Sequence, residues 1–223
     1  MVNVEVSLTF DKYIAKPYWP EISSLINIGK DVHPKLGDAK KAQAIVASCE
    51  KRGVTPEEYA QMLVKSKQPF YTIDGARDSE IVIPSRIWHA FINNTSQSAP
   101  KAIAKVESKG LTFIGIHVAD GFLRTGKTEA DAQKFERFVK MEESNERKWS
   151  VDYYIENFTA TGVLQVDVDI ITPANLRKLF EFGGKYYGIG SARPQGYGRF
   201  TVAAWVTPQT EQELEALAAI AGE

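Results

Sequence analysis

Cysteine is almost absent from this 223-residue chain. Cys49 stands alone, which excludes an internal disulfide and any zinc site built on several thiolates. Histidine is scarce as well: His33, His89 and His117 never fall within one helical turn of each other, so no metal-ligating spacing is present. No apolar run approaches the roughly 18 residues that a membrane span needs. The opening MVNVEVSLTF lacks a basic-then-apolar leader, so a cytoplasmic protein with no membrane partner is expected. An excess of one charge is missing too. The 27 Lys and Arg against 28 Asp and Glu leave a net −1, which excludes a global basic footprint for a polyanion. Any nucleic-acid surface must be local.

Charge does segregate locally. Residues 182–210 contain no Asp or Glu but include Lys185, Arg193 and Arg199. Residues 81–106 are likewise free of acid and carry Arg86, Lys101 and Lys105. The field at a groove is set by nearby charges, so such tracts attract phosphates even in a neutral chain. Buried strands and helices with few charges of either sign would read the same way. With 43% hydrophobic residues, the length suffices for one sizeable core with a small appended subdomain.

Periodicity sets the elements. Val2, Val4, Val6, Leu8 and Phe10 alternate with polar residues, the pattern of a half-buried strand. A loop and helical segment follows over 11–80. Asp38 is placed to cap a helix that Gly53 ends, and Thr55, Pro56 and Glu58 form a capping box for a second. Ser85 is placed to cap the helix in IVIPSRIWHAFINN, and LTFIGIHVAD (111–120) reads as a strand. A charge-rich excursion occupies 121–150. Leu164, Val166, Val168 and Ile170 form a further alternating strand. Thr172 with Pro173 opens a helix that Gly183 and Gly184 end. Phe200, Val202, Ala204 and Val206 close the series, and a helix is expected over 209–221. Apart from the insertions the order is βαββαβ. The fold class is therefore α+β, a ferredoxin-like (RRM-like) core with a helical insertion after the first strand and a thumb-like insertion before the third. The whole of 1–223 is read as a single domain.

Two glycine motifs compete to define the chemistry. Residues 121–128, GFLRTGKT, opening at Gly121 and closing on Lys127 and Thr128, match the P-loop pattern G-x-x-x-x-G-K-[ST]. An apolar strand precedes it, EADAQKFERFVKMEE offers a following helix, and Asp167 offers a Walker B carboxylate. Against an NTPase, a P-loop domain needs several parallel strands reached by crossover helices, and only one clean β-α-β remains after Thr128. The bland reading places Arg124 and Lys127 on an exposed excursion.

The other motif is GIGSARPQGYGRF, with four glycines and two arginines in residues 188–200. A dinucleotide fingerprint lies between a strand and the helix it opens. Here the loop runs from a helix into a strand, so that reading fails. Gly188, Gly190, Gly196 and Gly198 permit positive φ and let amides, with Ser191 beside them, point at phosphate oxygens. Arg193 and Arg199 add forked donors, and Tyr186, Tyr187 and Tyr197 offer faces for splayed bases.

This loop, its place between the second helix and last strand, and its closing GYGR resemble the RAMP superfamily, the repeat-associated RNA-binding proteins of CRISPR systems. IPSRIWHAF resembles that family's entry to the first helix, although a glycine is missing and Arg86 replaces a serine. The 121–150 excursion resembles its thumb insertion. The resemblance implies binding of single-stranded crRNA beside other effector-complex subunits, in antiviral defence or as a mobile-element homologue. The RNA-binding residues it implies are Lys185, Gly188, Gly190, Ser191, Arg193, Gly196, Gly198 and Arg199, with Arg86, Arg124 and Lys127. No cofactor, metal or catalytic residue is assigned. The alternatives are a metal-independent crRNA-processing endoribonuclease using His33, near Asp31 and Asp38, and the P-loop NTPase. His89 and His117 are expected to take core or packing roles.

Overall fold

The computed structural model describes residues 1–15, 28, 32, 35–99, 114–140 and 147–208, and the side chains of all of these but 65, 137–140 and 147–150. The chain separates into two compact units, residues 1–15 with 70–223 and residues 16–69. The sequence reading treats it as one domain with 11–80 inserted.

The first unit is built on β1 (Val2–Tyr13). Its alternation holds: Val4, Val6, Leu8 and Phe10 are buried while Glu5 and Thr9 face outward. Its antiparallel neighbours are β7 (Arg147–Val166) and β8 (Phe200–Val206). β4 (Ile116–Val118) pairs with the end of β7, Val118 opposite Leu164. The sheet continues past β7 through β5 (Phe122–Arg124), β3 (Ile81–Pro84) and β2 (Tyr71–Thr72). With β6 (Gln133–Lys140), which forms an antiparallel hairpin with the first half of β7, the sheet has eight strands. The fold is mixed α+β, and its sheet is larger than the four strands read from sequence.

In the second unit α1 spans Asp38–Lys51 and α2 spans Pro56–Ser66. Gly37 caps α1, so Asp38 is its first helical residue rather than its cap. The α2 capping box forms as expected. The Glu58 amide donates to Thr55 Oγ1 at 3.1 Å, and the Thr55 amide donates to Glu58 Oε2 at 2.8 Å. Cys49 is buried and free.

Helices α3 (Ser85–Ser98) and α4 (Pro173–Tyr186) cover one face of the sheet. Pro84, not Ser85, caps α3. Thr172 caps α4, accepting the Asn175 amide, and Pro173 takes the first position, where an N–H would have no partner anyway. Aromatic rings fill the layer between helices and sheet. Phe10 stacks on Phe158 at 4.9 Å, Trp88 lies on Phe180 at 5.8 Å, and Phe91 and Phe200 close the cluster at 5.3 Å.

Gly183 and Gly184 do not end α4 as expected; they lie inside it. A Cβ on Gly183 would stand 2.5 Å from the Phe91 ring, and one on Gly184 would stand 2.5 Å from the Phe200 carbonyl oxygen. Close packing of α4 on α3 and β8 selects glycine there. The β7 strand ends at Val166, so Val168 and Ile170 fall in the turn that follows. In β8 a register shift opposite Ser7 and Leu8 breaks the simple alternation, so Phe200 and Trp205 are the buried residues. The C-terminal helix expected over 209–221 lies outside the described residues, as do Lys101 and Lys105.

Candidate nucleic-acid interface

The glycine-rich loop begins where α4 closes. The amides of Tyr187 and Gly188 both donate to the Gly183 carbonyl at 2.8 Å. The loop then folds across itself, the Ile189 amide donating to the Gly198 carbonyl at 2.9 Å. Two further bonds staple it to the end of β1: Gly198 N–H to the Lys12 carbonyl at 2.6 Å, and Ser191 N–H to the Ile14 carbonyl at 2.9 Å. The tip is a 3-10 turn, Arg193–Gln195, entered through Ala192 at φ +55° and left through Gly196 at φ +89°.

Sterics show why the glycines are there. A Cβ on Gly198 would lie 1.7 Å from the Ile189 carbonyl oxygen, and one on Gly190 would lie 2.4 Å from the Ile14 carbonyl oxygen and 2.7 Å from the Tyr13 ring. At Gly196 the same atom would meet nothing within 4 Å. Gly190 and Gly198 thus serve the packing of the loop on itself and on β1, while Gly196 serves only backbone conformation. Most of the loop amides are spent internally, including those of Ile189, Ser191, Gln195, Gly196 and Gly198. Those of Gly190 and Ala192 have no hydrogen-bond partner among the described residues. An outward cradle of many amides is therefore not what this loop presents.

The cations are outward. Arg193, Arg199 and Lys185 are exposed, and no ion pair engages them among the described residues. The Lys185 ammonium lies 5.1 Å from the centre of the Tyr186 ring. Lys185 and Arg199 line an open groove with Thr9, Thr201, Asp11 and Glu181. The tract that is acid-free in sequence thus receives two carboxylates from β1 and α4. Arg193, at the tip, lies outside that groove.

The three tyrosines divide. Tyr186 is exposed, Tyr187 is half-buried, and Tyr197 is buried against Phe135 of β6 at 5.2 Å and Tyr154 of β7 at 5.7 Å. Tyr197 is therefore a docking point for the β6–β7 hairpin and not a free face for a base. Lys12 adds a cation 5.5 Å from the Tyr154 ring centre.

Arg86 stands in the first turn of α3, its guanidinium 4.6 Å from the centre of the Tyr71 ring. It approaches the loop through a shared neighbour, Tyr13, whose ring abuts Gly190. Burial holds the Tyr13 hydroxyl well above the ordinary tyrosine range, with the Arg86 charge opposing, and the hydroxyl has no hydrogen-bond partner among the described residues. Sequence reasoning missed Lys12 and Tyr13, since only the fold brings them beside the loop, and Tyr71, which the fold sets against Arg86.

Arg124 and Lys127 are placed elsewhere. Arg124 donates to Glu80 through Nε at 2.9 Å and Nη2 at 2.6 Å, and the Gly126 amide donates to the other Glu80 oxygen at 2.8 Å. A carboxylate from the chain itself sits where the P-loop reading would seat a phosphate. The helix that reading needs after Thr128 is also missing: a 3-10 turn at Glu129–Asp131 leads directly into β6.

Of the histidines, His33 lies outside the described residues, as does Asp31. His89 pairs its Nε2 with the Ile116 carbonyl at 3.0 Å, tying α3 to β4. His117 is exposed, contrary to a core role, because Ile116 and Val118 take the buried side of β4.

The sheet face away from the helices bears hydroxyls. Thr9, Thr159 and Thr201 are exposed, with Thr9 opposite both others, and Thr161 is exposed opposite Ser7.

Fold and loop together define a mixed α+β protein whose glycine-rich loop carries Arg193 and Arg199 between α4, which ends in Lys185, and the terminal strand of the sheet, with no ion pair on these three cations among the described residues. No family model matches the chain, and no curated protein matches it in sequence. No described helix is long and apolar enough to cross a membrane.

Proposed function

We propose that the protein is a RAMP-type RNA-binding subunit. In this reading it holds the backbone of single-stranded crRNA within a cytoplasmic effector ribonucleoprotein, or copies such a subunit for a mobile element. The observation that carries the reading is the loop at 187–199: it joins a helix to a strand, is stapled to the end of β1, and leaves Arg193 and Arg199 exposed, with Lys185 exposed in the last turn of the preceding helix. Strand order supports the ferredoxin-like core that belongs to it. β8, β1, β7 and β4 are successive antiparallel neighbours, with α3 between β1 and β4 in the chain and α4 between β7 and β8. Contacts to phosphate come from the arginines and Lys185 rather than from a ring of amides, and binding is steeply salt-dependent. Thr9 and Thr201 line the same groove as Lys185 and Arg199, and add hydroxyls to those cations.

Titration of the purified protein with labelled single-stranded RNA over a salt series tests this. Replacing Arg193 and Arg199 together by Ala should flatten the slope of log K against log salt by roughly one to two. Absence of RNA binding at low salt, or an unchanged slope in the double variant, refutes the proposal.

A further inference from the structure

The groove that Lys185 and Arg199 share encloses about 470 Å³, and it is not uniformly basic. Two carboxylates line it, and they differ in their commitments. Glu181 accepts the Arg177 Nε–H at 2.9 Å, within its own helix. Asp11 is exposed, and its carboxylate accepts no hydrogen bond and joins no ion pair among the described residues.

The backbone holds Asp11 next to a cation. Phe10 lies opposite Phe200 in the β1–β8 register, and one step further the Gly198 amide donates to the Lys12 carbonyl. Between these two links Asp11 and Arg199 are neighbours across the strands. No ion pair closes between them, so both side chains stand open to the groove. An exposed ion pair gains little, and either group is readily given to a ligand.

A carboxylate beside cations weakens the hold on a bare polyanion, because it repels phosphate across the width of the groove. It strengthens the hold when the ligand carries a hydrogen-bond donor next to its phosphate. Along a single-stranded nucleic-acid backbone that donor is the ribose 2′-hydroxyl, and deoxyribose has none.

We infer that Asp11 makes this groove selective for ribose. With a phosphate on Arg199 and Lys185, the Asp11 carboxylate accepts the adjoining 2′-hydroxyl in a charge-assisted hydrogen bond. Deoxyribose leaves the same carboxylate unpaired and facing phosphate. This selectivity presupposes the RNA-binding reading above and adds to it the residue that tells ribose from deoxyribose.

Fluorescence anisotropy on the full-length chain at low salt tests it, with labelled oligouridylate, oligodeoxyuridylate and 2′-O-methyl oligouridylate of one length. The base is the same in all three, so differences report the sugar. Oligouridylate should bind about tenfold or more tighter than the deoxy chain, as one hydrogen bond to a charged group warrants. The 2′-O-methyl chain has lost the donor but is still a ribonucleotide, and should bind like the deoxy chain. Asp11→Ala should bring the ratio of oligouridylate to oligodeoxyuridylate affinity close to one. Asp11→Asn keeps a neutral acceptor and should give an intermediate ratio, with circular dichroism to verify folding of both variants. Equal affinity of the parent protein for all three chains overturns ribose selectivity and leaves RNA binding standing. So does a 2′-O-methyl chain that binds as tightly as oligouridylate. A ratio unchanged in Asp11→Ala, with every affinity raised alike, marks a carboxylate that only repels phosphate and also overturns it. No binding of any chain at low salt overturns the RNA-binding reading itself, and ribose selectivity with it.

Discussion

One methyl group at residue 198 has no room in the glycine loop. Gly198→Ala places a Cβ 1.7 Å from the Ile189 carbonyl oxygen and 2.8 Å from its carbon, at a backbone φ of +73°. No rotamer relieves the overlap, because both partners are backbone. The segment must open, and two hydrogen bonds open with it: Ile189 N–H to the Gly198 carbonyl and Gly198 N–H to the Lys12 carbonyl. Positive φ in a residue with a Cβ costs roughly 1–2 kcal/mol. The two bonds add about 1 kcal/mol each, for a total of about 3–4 kcal/mol. Gly196→Ala is the control, since its φ is +89° but its Cβ would meet nothing within 4 Å. It should cost only the conformational part, roughly 1–2 kcal/mol. The difference of about 2 kcal/mol corresponds to about 4–8 °C in Tm for a chain of this size. Urea titrations and thermal melts followed by circular dichroism read it directly. Equal losses in the two variants would refute the claim that Gly198 is selected by close approach.

Three further expectations follow from the same structure. Tyr197→Ala removes the ring that Phe135 and Tyr154 pack on, so amide exchange should accelerate over 133–136 and 151–154 while α4 stays protected; unchanged exchange there would separate hairpin from loop. Desolvation alone would raise the Glu80 pKa, but the Arg124 hydrogen bonds, the Gly126 amide and the Arg124 charge outweigh it and hold the carboxyl below its usual range. A depressed folded value stabilises above the unfolded carboxylate pKa, near about 4.3, and that stabilisation fades as pH falls through the folded value. Glu80→Gln should therefore lose stability at neutral pH and converge with the parent protein below about pH 4; parallel curves would contradict it. Lys127→Ala should leave Mg-ATP titrations unchanged, because Glu80 already occupies the Gly126 amide and a strand, not a helix, follows the motif; nucleotide binding lost only in the variant would restore the P-loop.

Several local signals were legible, although the caps expected at Asp38 and Ser85 fell one residue earlier. The β1 alternation, the Thr55–Glu58 box and the Thr172–Pro173 helix start each depend on residues within a turn or two, and each formed. Gly183 and Gly184 misled because a glycine pair ends helices on its own, yet here Phe91 and Phe200 demand the missing side chains. The long β7 was read only at its last residues, since its first half is held by a hairpin partner rather than by burial on one face.

The candidate site divides along the same line. Sequence alone determined that a glycine-rich segment with two arginines lies between a helix and a strand, because chain order is all that statement needs. Only the tertiary structure decided which groups face outward. It turned the loop amides inward onto Lys12 and Ile14, buried Tyr197 under the hairpin, and brought Asp11 and Glu181 into the groove of Lys185 and Arg199. It also gave Arg124 to Glu80, 44 residues away. Hydrogen bonds and fields act through space and fall off within a few ångströms, so residues distant in the chain set the charge and accessibility of each functional group.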